Sequence, residues 1–293
     1  MSKPRTACLA MAAAVLLAGR APSAQPPTLD AVLKRSAAYV AAFRKQLAGI
    51  VAEETYVQTV VEFSRIPQGD TRNPMRTLKS DLLLIQPRGS ERYVELRDVF
   101  EMDGSPVHTE QGRLEALLRD TSQGASAQIG DIIERSAKYN IGRITRNINT
   151  PLMPLQFLDA VNQPRFRFRH LQNAPPVFTD PADQAANDSG VFRASTEMWA
   201  VAYEERDRPT IIRQPGGRDQ PAKGRFWINP HDGSILISEL IVDGGGVLAT
   251  ITVSYQSEPL MGFLVPIEMR ETYIRNPERI TGHAKYGRFR QLR

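Results

Sequence analysis

Four histidines, His108, His170, His231 and His283, are the residues of this 293-residue chain best suited to acid–base or metal chemistry near neutral pH. They are far apart in sequence, and none belongs to an HExxH pair or a short-spaced ligand set. The chain has no G-x-S-x-G elbow, no P-loop and no G-x-G-x-x-G turn. Asp180, Asp183 and Asp188 lack the spacing and turn glycine of an EF-hand loop. Glu53-Glu54 and Glu204-Glu205 are adjacent pairs, and neighbours in a strand point to opposite faces. Such pairs do not oppose each other across a sugar the way glycosidase carboxylates do. The expectation is therefore no catalytic residue, no metal and no cofactor. A hydrolase with a dispersed site, or zinc held by distant strands, is the chemical alternative.

The stretch "GRFWINPHDGSIL" (224–236) concentrates reactive types but reads as a turn. Asn229-Pro230 ends strand pairing, because proline has no N–H to donate. Asp232-Gly233 supplies the positive φ that a tight hairpin needs. His231 then sits at the tip. A second cluster is electrostatic. From Lys138 to Leu158 there is no acid, and "RFRFRH" follows. In a strand, Arg165, Arg167 and Arg169 share one face, opposite Phe166 and Phe168. That face could dock an anionic headgroup, a phosphate or an acidic partner. It could equally be a solvated face paired with acids of neighbouring strands. Nucleic acid is not expected, since arginines and aromatics would need the same face to stack bases.

The elements that must position these residues follow from hydrophobic period. Thr28 is a candidate N-cap, and Leu29, Val32, Leu33, Val40, Phe43, Leu47 and Ile50 recur at helical spacing. From Glu54 the period becomes two: Thr55, Val57, Thr59 and Val61 alternate with Glu54, Tyr56, Gln58 and Glu62. Residues 66–74 carry turn chemistry. Two further strands precede a helical middle, in which 109–120 places Leu114, Leu117 and Leu118 on one face. In 126–140, Ile129, Ile132, Ile133 and Ala137 do the same. Residues 151–161 suggest a short third helix, weakened by Pro154. Residues 172–190, rich in Pro, Asp, Asn and Ala, read as a mobile loop. From Thr196 onward, period-two strands joined by tight turns predict an antiparallel sheet.

Composition sets the setting. Lys3 and Arg5, the apolar run 7–19 and the small residues of "APSAQPP" have the layout of a signal peptide, expected at 1–24. Its removal takes the only cysteine, Cys8, and three of the charges behind the formal +5. No later run is long and apolar enough to span a bilayer, so the mature chain is expected to carry no transmembrane segment. The remainder, 25–293, is expected to form one domain, periplasmic or secreted.

"FWINPHDGSIL" and the strands after it resemble the "W-I-D-P-x-T-G" hairpin of the LolA-like family of exported lipoprotein carriers. Asn229 stands where that family has Asp, and Asp232 where it has Thr. The order of elements is similar too, and the periplasmic sensors related to RseB share it. The Ile280–Arg290 strand resembles the "I-x-G-x-A-x-Y-x-x-F-R" ending of other exported bacterial proteins. The resemblance implies an α+β fold: a strongly curved antiparallel sheet, or half-barrel, with an N-terminal helix and a central helical segment across its concave side. It implies a non-enzymatic protein whose hollow receives a lipid or lipoprotein acyl chain. Trp199, Phe226, Trp227 and Met269 are the candidate ligand-binding residues, and Arg165, Arg167 and Arg169 the candidate anion-docking residues. An envelope sensor, binding a protein through the sheet or the 172–190 loop, is the alternative.

Overall fold

A computed structural model describes residues 26–63, 73–86, 93–107, 124–144, 146, 148–172, 174, 198–214 and 216–291. The expected signal peptide, the helix at 109–120, His108 and nearly all of the turn at 66–74 and the loop at 172–190 lie outside the described residues.

The first helix, α1 (Leu29–Leu47), begins at Thr28, whose hydroxyl accepts from the Ala31 N–H at 3.3 Å. Asp30 in its first turn and Arg44 and Lys45 in its last complement the helix dipole. It buries Val32, Leu33, Val40, Phe43 and Leu47. Ile50, expected on the same helix, instead opens strand β1 (Ile50–Glu62). The Ala48 φ/ψ is extended, and the chain turns at Gly49 with φ 80°.

Three strands follow β1: β2 (Met75–Ile85), β3 (Val94–Met102) and the short β4 (Ser105–Pro106). Helix α2 (Gly124–Ala137) and a 3-10 helix (Met153–Leu158) come next, the latter in place of the short third helix expected at 151–161. Pro154 near its start suits a short, tight helix that need not donate from that residue. A second 3-10 turn (Gln163–Arg165) leads into β5 (Phe166–Leu171). The rest is strand: β6 (Trp199–Glu205), β7 (Ala222–Ile228), β8 (Ile235–Gly244), β9 (Val247–Glu258), β10 (Phe263–Arg275) and β11 (Glu278–Gln291).

All eleven strands form one antiparallel sheet in the order β4-β3-β2-β1-β11-β10-β9-β8-β7-β6-β5. β11, the last strand, pairs with β1, the first, so the sheet is assembled from both halves of the chain. The edge strands β4 and β5 do not pair with each other, so the barrel is left open. The sheet is nevertheless strongly curved. Glu95 of β3 and Pro266 of β10 line a common cleft, although four strand steps separate them. In a flat sheet they would lie roughly 19 Å apart, at about 4.8 Å per step. The expected half-barrel is thus the observed architecture.

The concave face carries the main core. Alternate residues of β6 to β9, such as Val201, Phe226, Leu240 and Ile251, meet α1 and the Met153–Leu158 turn there. α1 crosses one end of the trough. Arg35 Nη1 donates to Pro230 O of the β7–β8 turn at 2.8 Å, Phe43 packs edge-on against Tyr255 and Phe263, and Leu47 reaches the β1–β2 side.

The central helix departs from expectation. α2 lies on the opposite, convex face, where Ile132 and Ile129 pack with Val51, Leu83, Ile85 and Leu96. These residues are offset by one from the concave set (Ala52, Leu82, Leu84), so the apolar row on the far side of β1–β3 is what draws α2 there. Ile133 and Ala137, expected on its apolar face, are exposed.

Candidate functional site

The β7–β8 turn that concentrates Asn229, His231 and Asp232 is a clamp on α1. Asn229 Oδ1 accepts from the His231 N–H at 3.0 Å, and Asp232 Oδ1 accepts from the Ser234 N–H at 2.8 Å. Gly233 has φ 78°, and a Cβ there would come within 2.4 Å of the Arg35 carbonyl carbon. Glycine is required both by the turn and by the close approach of helix backbone. Burial pushes the Tyr39 hydroxyl up, with nearby Asp232 adding to the shift. Beside the clamp, Gln163 Nε2 donates to Leu33 O at 2.9 Å, and near its other end α1 is held by Arg44, whose Nη1 lies 2.6 Å from Asp159 Oδ2.

Beyond the apolar part of the trough lies a buried polar network. Strand β1 turns Glu54, Tyr56 and Gln58 inward and leaves Thr55, Val57 and Thr59 half-exposed on the convex face. Glu54 is fully buried and accepts from Arg97 through both oxygens, at 2.6 and 2.8 Å, and from Ser80 Oγ at 2.7 Å. Arg97 also donates to Asn149 O at 2.9 Å. Glu271 of β10 receives Arg146 Nη1 at 3.1 Å, Tyr273 OH at 3.2 Å and the Tyr56 hydroxyl. Arg146 donates further to Tyr56 OH at 2.9 Å, to Gln58 Oε1 and to Ile141 O at 3.1 Å. The Gln58 Oε1 also accepts from the Ile141 N–H at 3.1 Å. Gly282 makes the space: a Cβ there would lie 2.5 Å from Glu271 Oε1.

Burial raises the Glu271 carboxyl, against the opposing pull of Arg146. It raises the Tyr56 and Tyr273 hydroxyls too, with Glu271 adding to both. The arrangement places two carboxylates and two guanidiniums in a low-dielectric space with nearly every donor and acceptor matched. Arg146 Nε is the exception, with no hydrogen-bond partner among the described residues. Chemically the network is a lock. It holds the 141–149 segment over the sheet and offers no cleft to a reactant among the described residues.

A cleft does open at the C-terminal end of α1. Leu47, Ile50, Ala52, Leu82, Leu84, Leu152, Pro266 and Phe289 line it, with an empty volume of about 270 Å³ that includes its open mouth. Its one charged lining residue is Glu95. Burial drives that carboxyl up to about 7, although the Thr150 side chain, Arg97 and the Leu152 backbone each pull it down.

The residues anticipated from sequence are dispersed. Phe226 and Met269 are buried on the concave face, and half-buried Trp199 stacks on His170 with ring centroids 3.8 Å apart. Trp227 is not in the hollow. The β7 register turns it to the convex face with Ala200 and Ile237, and Arg225 lies 5.1 Å over its ring. None of the four lines the cleft at the end of α1. Arg167 and Arg169 share the convex face, where Arg167 Nη2 is 3.2 Å from Glu204 Oε2. Arg165 belongs instead to the 3-10 turn before β5 and donates to Pro209 O. Its departure follows from Pro164, which favours the turn over strand pairing. The three arginines therefore do not form one row.

The three described histidines do not converge: His231 is at the clamp, His170 on the concave face, and His283 contacts Glu268 on the convex one. No group of three or more His, Cys, Asp or Glu among the described residues is placed to hold a metal. No described helix is long and apolar enough to cross a membrane.

Glu54, Glu95, Arg97, Arg146 and Glu271 are the residues that sequence reasoning missed. One signal was present. Glu271 falls between Met269 and Tyr273 in the apolar row of β10, where a carboxylate needs a buried partner. Arg146 stands out only as a base in the acid-free stretch 138–158, and nothing local shows that it is buried against Glu271.

No family model matches the chain, and no curated protein matches it. Among solved structures, it is similar to a domain described as an outer membrane lipoprotein-sorting protein from Vibrio parahaemolyticus. The identity is 14%, with 86% of this chain and 90% of that one covered and a TM-score of 0.36. A DUF1329 family protein from Desulfovibrio piger is similar at 9% identity, covering 89% of this chain and 92% of that one, with a TM-score of 0.37. Lipovitellin is similar at 9% identity over 84% of this chain and 26% of its own, with a TM-score of 0.28.

Proposed function

We propose that this is an exported, non-catalytic binding protein that takes an acyl chain into the concave side of its half-barrel, at the cleft beside the end of α1. The cleft is the observation that carries the reading. Eight of its nine lining residues are apolar and come from α1, from four strands of the sheet and from the segment before the 3-10 helix. Each Å² of acyl chain hidden there is favourable by about 25 cal/mol. The enclosed space is only about 10 Å³, room for a water-sized group, so an acyl chain would enter by displacing Leu47 and the end of α1. The basic, apolar and small-residue layout of positions 3–24 supports export.

Mass spectrometry of lipid co-purifying with the mature protein tests this, together with binding of the neutral reporter N-phenyl-1-naphthylamine. Bound lipid and saturable fluorescence are expected, and Ala52→Leu, which fills the cleft, should weaken both. A lipid-free protein that leaves the reporter dark removes the proposal.

A further inference from the structure

The cleft is apolar except at Glu95, whose carboxyl is hydrogen-bonded by the Thr150 side chain and the Leu152 backbone but keeps one oxygen unsatisfied. Glu95 Oε1 is enclosed and has no hydrogen-bond partner among the described residues. A buried acceptor without a donor is costly, and a ligand that supplies the donor recovers that cost. The titratable and charged groups around it are Arg97 on its own strand, Glu54 on β1, Tyr286 on β11 and Tyr255 on β9. Arg97 is already committed to Glu54 and to Asn149 O, so it does not supply the missing donor.

We infer that the ligand is a single-chain amphiphile with an uncharged hydroxyl head, a long-chain alcohol or monoacylglycerol, whose O–H donates to Glu95 Oε1 while its chain lies between Leu47, Leu84 and Phe289. This deepens the acyl-chain reading above and rests on it. The choice of head follows from charge. A fatty-acid carboxylate would set a second negative charge against Glu95 in a low-dielectric cleft, which is unfavourable unless one of the two is protonated. An alkylammonium would have to give up its own hydration to enter. A hydroxyl satisfies the oxygen and brings no charge. Because burial holds the Glu95 carboxyl at about 7, discrimination against a carboxylate should grow as pH rises through that value and shrink below it.

Competition against N-phenyl-1-naphthylamine tests the assignment, using dodecanol, monolauroylglycerol, laurate and dodecylamine at about pH 8 and about pH 5.5. The two hydroxyl ligands should displace the reporter about tenfold more tightly than laurate at the higher pH, with the gap narrowing at the lower one. Glu95→Gln keeps an acceptor oxygen without a charge, so it should preserve alcohol binding and flatten the pH response of laurate. Glu95→Leu should abolish the preference for alcohols. Equal displacement by laurate and dodecanol at the higher pH, or tightest binding by dodecylamine, overturns the hydroxyl assignment and leaves acyl binding standing. A reporter that never binds overturns both.

Discussion

The two parts of the concave face are both buried, yet they are built on different physics. Under the Met153–Leu158 turn, the β5–β9 side is apolar. Phe157 sits 4.9 Å from Phe166 and 5.4 Å from Tyr203, and Leu240, Ile251 and Val242 complete the layer. Beyond the cleft, where Ile141 and Arg146 lie over β1–β3 and β10, the face is ionic, with Glu54–Arg97 and Glu271–Arg146 at its centre. Apolar packing is nondirectional and tolerates small shifts. A buried ion pair tolerates almost none, because a displaced partner leaves a charge uncompensated. The ionic side therefore specifies one seat for the 141–149 segment, while the apolar side supplies bulk stabilisation.

Breaking the ionic side should have the largest effect. Arg146→Met leaves Glu271 buried and unpaired, with an expected loss of about 3–5 kcal/mol in urea unfolding. The double variant with Glu271→Met should recover most of that loss. A double variant as unstable as the single would mean that the pair does not act as a unit.

Glu95 gives the next effect, and its sign depends on pH. Its carboxyl is raised from 4.5 to about 7 in the folded protein, so the folded state holds a proton more tightly than the unfolded one. Its contribution is favourable at low pH and is lost as pH rises from 4.5 through about 7. Glu95→Gln should then stabilise the protein by up to about 3 kcal/mol above neutrality, and the advantage should vanish at acid pH. Thermal unfolding at several pH values measures it. A constant difference across pH would place the effect in packing instead. Glu271, also raised by burial, has the same sign, so the Glu95→Gln variant should still lose some stability as pH rises.

The apolar side should respond least to a conservative cut. Ile251→Val removes one buried methyl, with an expected loss of about 0.5–1.5 kcal/mol in the same urea assay. A loss as large as that of Arg146→Met would erase the distinction between the two sides.

Sheet, hairpin and helix α1 were legible because each writes a period into the chain. Val247 to Tyr255 alternates cleanly with Thr250, Thr252 and Ser254, and the apolar row faces the core. The β7–β8 hairpin was legible from Asn229-Pro230 and Asp232-Gly233, although its contact with Arg35 was not. Period two states which residues share a face and is silent on which face is buried. In β1 the row Glu54–Tyr56–Gln58 is the polar one, and it is the row that turns inward. The same silence hid Trp227, correctly placed in a strand but on the convex side.

What this sequence determined alone was the local order: an amphipathic helix, antiparallel strands, tight turns and an N-terminal apolar segment. Those follow from dihedral preferences and hydrophobic spacing within a few residues. The tertiary structure decided the seat of α2, the pairing of β1 with β11, the ionic lock around Arg146 and Glu271, and the unsatisfied oxygen of Glu95. The ion pairs join groups far apart in sequence, 43 positions for Glu54–Arg97 and 125 for Arg146–Glu271. The stabilisation of a buried charge exists only once its distant partner has arrived, so no local pattern encodes it.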